Sequence, residues 1–154
     1  MIELVFVIVV LGILAAVAIP RFAATRDDAV IASGRANVLA IRSGIINERQ
    51  ARMFRGDSRF AGELDSNTTV ALNTMGETLF SVVLAQPYRG NPNRGWVKTA
   101  HANGVPGVAT YNFTLNNGGP NFTTFTYTTT TGIFDCNPAS GNALQDALCV
   151  SLTQ

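Results

Sequence analysis

Charge is scarce in this chain. Aspartate, glutamate, lysine and arginine make up 14% of its 154 residues, against about a quarter in ordinary soluble domains. The net charge of +1 argues for no particular partner, and no nucleic-acid binding is expected. Histidine occurs once, at His101, flanked by Ala100, Ala102 and Asn103 in a predicted loop with no nucleophile nearby. A solvated loop residue is expected there rather than a general base. No glycine-rich loop runs into lysine and serine or threonine, which removes the nucleotide-binding loop, and Gly118-Gly119-Pro120 reads as a hairpin turn. The acids lack calcium-loop spacing, and two cysteines with one histidine are too few for a zinc site. No catalytic residue, metal or cofactor is therefore expected, and the chain does not read as an enzyme.

Long apolar runs, by contrast, are present. Met1 to Ile19 is apolar almost throughout, interrupted by one carboxylate, Glu3. Nineteen residues at helical rise reach about 30 Å, the thickness of a bilayer's hydrocarbon core. A carboxylate inside such a segment costs about 2.5–3.5 kcal/mol, so its presence demands a reason. A secretory signal would carry a basic front end and an apolar run of about 7–15 residues; this run is longer and has no basic front. A generic single-span anchor fits the length but leaves Glu3 unexplained.

From Ala23 to about Phe54 the chain is helical in composition and free of proline. At 100° per residue, Ile31, Val38 and Ile45 form one column and Ala32, Leu39, Ile46 and Met53 the next, a broad apolar face suited to a sheet. Residues 1–54 thus read as one helix, with Gly34 and Gly44 marking close packing or bending. Arg35, Arg42 and Arg49 repeat every seven residues between the two columns. They are expected to snorkel to the edge of that face; the sharper alternative pairs them with carboxylates of a neighbouring subunit. Residues 56–75 are loop-like, a short second helix is predicted over 76–85, and 88–95 is turn-rich. The period then becomes two: Trp96–Ala100, a strand around Tyr111, Phe113 and Leu115, and a return from Phe122 to Thr131 carrying seven threonines in 123–131, which suit a pleated strand. Helix first and sheet after gives an α+β fold: a long helix packed on an antiparallel sheet of three to four strands, with a C-terminal disulfide loop. The disulfide is Cys136 with Cys149, an even pair in a chain whose body must lie beyond a membrane.

The stretch Ile2-Glu3-Leu4 through Gly12-Ile13-Leu14-Ala15-Ala16-Val17-Ala18-Ile19-Pro20 resembles the N-terminal helix of type IV pilins and type II secretion pseudopilins. The resemblance covers about 30 residues and implies a division into a transmembrane or filament-core helix at 1–22 and a head at 23–154. Within the head it implies an amphipathic helix half (23–55), a connecting loop (56–95), a sheet (96–135) and a disulfide region (136–154). It also implies a major pilin polymerising into an extracellular helical homopolymer, held in the inner membrane before assembly and delivered by pilus assembly machinery. Glu3 is then the assembly residue, paired with an N-terminal amine, and Gly12 and Pro20 bracket a segment that melts in the filament. In the family the glutamate usually sits four positions after an aromatic first residue. Glu3 is two positions nearer the start, so either a leader and two residues precede Met1 or the mature end is atypical. The alternatives are a pseudopilin forming a periplasmic pseudopilus, which more often relies on calcium than on a C-terminal disulfide, and a non-polymerising membrane-anchored binding protein. Asn67, followed by Thr68 and Thr69 with Asp65 two residues before it, resembles the acidic acceptor pattern of bacterial oligosaccharyltransferases and is a candidate glycosylation site.

Overall fold

The computed structural model describes residues 2–66, 71–115 and 121–154, with backbone alone over 19–25. One helix, α1, runs Ile2–Phe54 without a break. Two short strands follow, β1 (Thr78–Leu79) and β2 (Tyr88–Arg89), then a meander of β3 (Gly95–Ala100), β4 (Val108–Thr114), β5 (Phe122–Thr128) and β6 (Ile133–Cys136). A last helix, α2, covers Ala143–Thr153. The four meander strands pair antiparallel in chain order, and β1 with β2 forms a separate ribbon. The fold is α+β, a long amphipathic helix on a four-stranded antiparallel sheet.

Alternation builds the core. On β4 Ala109, Tyr111 and Phe113 are buried, together with Thr114 at the strand's end, and on β5 Thr123, Phe125 and Tyr127. Trp96 on β3 and Phe134 on β6 join them, and rings of Trp96, Phe113, Phe125 and Phe134 meet at centroid distances of 5.0–5.8 Å. Against this aromatic face α1 places Val38, Ile41 and Ile45, and α2 places Leu148 and Leu152. Gly34 is where the layers come closest: a Cβ there would lie 2.5 Å from the Phe113 ring and 2.6 Å from Leu152. Gly44 does the same service against the Val83 carbonyl.

Three expectations change. Only the first apolar column of α1 is covered. Leu39, Ile46 and Met53 of the second are 59%, 56% and 55% exposed, because the sheet meets the helix along a line narrower than two columns. The helix predicted over 76–85 is β1 plus a single turn, in which Leu84 N–H donates to Phe80 C=O at 2.9 Å. Phe80 sits at φ 60°, a conformation that ends a right-handed helix. The disulfide region is not mere loop, since α2 occupies most of it. Asn142 caps that helix, its side-chain oxygen accepting from Leu144 N–H at 3.1 Å.

Candidate functional site

The N-terminal third of α1 is bare. From Ile2 to Val17 every side chain is exposed, with Ile2 at 88% and Leu4 at 70%. Glu3 lies in the first turn, where the helix dipole favours an anion. Around Gly12 an added Cβ would meet nothing within 4 Å. Pro20 lies within the span of α1 and its side chain is outside the described residues, as is Asn67 entirely. Among the described residues, Arg26–Phe54 is the part of α1 that qualifies by length and composition as a membrane span, and Ile2–Ala18 is a shorter apolar helix. Arg26–Phe54 buries Val38, Ile41 and Ile45 against the body of the fold, whereas every side chain from Ile2 to Val17 is exposed.

Cys136 and Cys149 are bonded, with Cα atoms 5.9 Å apart, and tie β6 to the middle of α2. Closing a loop of this length stabilises the fold by about 3 kcal/mol.

The arginine file reaches the edge of the apolar face and finds partners within the chain. Arg35 donates from Nε and Nη2 to Ser151 C=O in α2, at 3.0 and 2.7 Å. Arg42 donates from Nε to Phe134 C=O and from Nη2 to the Asp135 carboxylate in β6, each at 3.0 Å. Arg49 donates to Ser58 C=O at 3.4 Å and lies 4.2 Å over the Phe60 ring. One heptad-spaced file therefore fixes α2, β6 and the loop after α1 to one helix.

Lys98 is the chain's single lysine, and its side chain is 0% exposed. Period-two geometry puts it on the same face of β3 as Trp96, opposite Tyr111 of β4. Its Nζ donates to Glu63 Oε2 at 2.6 Å and to Asp65 Oδ2 at 2.8 Å. Asp65 Oδ2 also accepts from Tyr111 Oη at 2.7 Å, and Asp65 Oδ1 accepts from Phe80 N–H at 2.5 Å. Glu63 Oε1 accepts from Ala102 N–H at 2.6 Å. Burial, then the Asp65 charge, holds the Tyr111 phenol well above its ordinary pKa. The sequence puts Lys98 in a predicted strand and Asp65 in a predicted loop without joining them; its one mark of the site is the single lysine two residues from the single tryptophan.

His101 is half-buried rather than solvated. Its Nδ1 is enclosed without a hydrogen-bond partner among the described residues, because the Glu63 bond to Ala102 draws this segment onto the body. Among the described residues, no three histidine, cysteine or acidic side chains converge as a metal would require. Compared with family models, curated proteins and solved structures, the chain matches none.

Proposed function

We propose that this chain is a structural subunit of the type IV pilin kind, polymerising through the Ile2–Ala18 segment into an extracellular filament. The observation that carries the reading is that segment itself: an apolar helix exposed on every side, with a lone carboxylate in its first turn. Such a rod does not stay in water. It lies in lipid or packs against identical rods, and rods stacked along one axis form a non-closing, heterologous assembly, which is a fibre. Burying about 1000 Å² of apolar surface gives about 25 kcal/mol before the costs of association. That is ample for a filament without covalent links between subunits. The Cys136–Cys149 bond suits an oxidising compartment and favours a pilin over a pseudopilin.

The test is electron microscopy of material sheared from expressing cells, with immunogold labelling of this chain. Labelled surface filaments are the expected result. A protein that stays monomeric after detergent removal, with no labelled filament on cells, would overturn the reading in favour of an anchored binding protein.

A further inference from the structure

Buried Lys98 and Asp65, with the partly buried Glu63 beside them, bring an amine into contact with two carboxylates. Among the described basic side chains the single lysine is the one enclosed, and a lysine, unlike an arginine, has an amine that becomes nucleophilic when neutral. Its Nζ touches both carboxylates, at 2.8 and 2.6 Å. Asp65 is 0% exposed and Glu63 11% by side chain, so three formal charges share a site with little water. Passing one proton from the ammonium to Asp65 gives the neutral amine that a condensation requires.

We propose that Lys98 and Asp65 condense into an intramolecular amide, with Glu63 as the proton carrier. The ammonium first passes a proton to Asp65 Oδ2. The neutral Nζ then attacks Asp65 Cγ and loses its second proton to Glu63 Oε2. Charge developing on Oδ1 meets the Phe80 N–H already bonded to it at 2.5 Å, which acts as an oxyanion donor. Glu63 returns its proton to Oδ2, which departs as water while Tyr111 Oη, 2.7 Å away, stabilises the leaving oxygen. The N–C bond forms, the C–O bond breaks, and one water is released; no oxidant, nucleotide or cofactor enters. Bulk water disfavours amide formation, but fixed partners reach effective molarities of about 10⁵–10⁸ M. Phe80 holds φ 60°, a strained conformation that aims its N–H at the acid, as strain often does at reacting sites. Nothing in this chemistry depends on the filament reading.

The experiment is intact mass spectrometry of the full chain, extracted in detergent, reduced and denatured, followed by tryptic digestion. The expected mass is one water below that of the unlinked chain. Lys98 should resist trypsin, and the 60–89 and 95–154 fragments should remain joined after reduction. Glu63→Gln should fold, keep its disulfide and appear at the unlinked mass. Folded wild-type protein at the unlinked mass with normal cleavage after Lys98 would overturn the proposal, whatever the fate of the variant. So would loss of one water with Lys98 still cleavable, since that marks Asp65 cyclising onto the Ser66 backbone. A folded Glu63→Gln chain that still cross-links would remove Glu63 from the chemistry.

Discussion

At the scale of single residues, two groups give opposite tests of exposure and burial. Glu3 is exposed in an otherwise apolar turn, so its removal should make the segment a better membrane helix. Glu3→Leu is expected to insert as well as or better than wild type, while filament number falls sharply and Glu3→Asp is intermediate; counting filaments by microscopy against membrane-fraction immunoblots checks both halves. Normal filament numbers from Glu3→Leu would leave the charge as a residue lying at the lipid interface. Tyr127 is the buried counterpart. Its Oη donates to Ala61 C=O at 2.7 Å, and burial pushes its pKa from 10 up to about 12. A raised folded pKa stabilises fully below the unfolded value and is lost as pH climbs through the folded one. Stability should therefore be flat up to about pH 10 and fall between pH 10 and 12, with buried Tyr111 adding the same sign. Urea melts across that range should show Tyr127→Phe with a shallower alkaline decline; an unchanged slope would contradict it. Glu3 was legible from the sequence because one charge in nineteen apolar residues needs no fold to be seen. The Lys98 centre was not, because Glu63, Asp65 and Lys98 meet only through tertiary packing.

At the scale of elements, those governed by local pattern were legible and those governed by contacts were not. The long helix and the β4–β5 pair follow from periods of 3.6 and two. The 76–85 segment, apolar at Leu79, Phe80, Val83 and Leu84, has the composition of a helix, but the Phe80 ring is drawn among Trp96, Tyr111 and Phe134 and tertiary burial wins. The α2 helix did leave a signal, Asn142 as a cap before Leu144, Leu148 and Leu152 at four-residue spacing, overshadowed by its cysteine. Replacing Cys136 and Cys149 together with serine should lower stability by about 3 kcal/mol in chemical denaturation and raise hydrogen exchange throughout α2; unaltered protection there would mean that Arg35 and the core suffice to hold it. For α1 the proposed filament implies a local change. Glycine and proline weaken helical bonding by different routes, one entropic and one by a missing donor. Residues Ala15–Ile19, lying between Gly12 and Pro20, should lose regular helix on assembly, although the isolated chain is helical there. Unbroken helical hydrogen bonding from Leu4 to Pro20 in a filament reconstruction would refute this.

At the scale of the whole molecule, the second column of α1 leaves apolar surface uncovered on the head as well as on the rod. Leu39, Ile46 and Met53 contribute little to the fold of one chain, so Ile46→Glu should change stability by no more than about 0.5 kcal/mol. If that column packs between subunits, the same change should cut filament yield; undiminished filaments would confine the interface to the first third of the helix. The arginine file has a mechanical consequence. Arg35, Arg42 and Arg49 stand about 10.5 Å apart along the axis, gripping α2, β6 and the loop beyond α1 in turn. A pull along the helix axis loads all three grips in shear at once, so each carries a share. A sideways pull from the Arg35 end peels them one after another at far lower tension. The head is thus strong in one direction and weak across it.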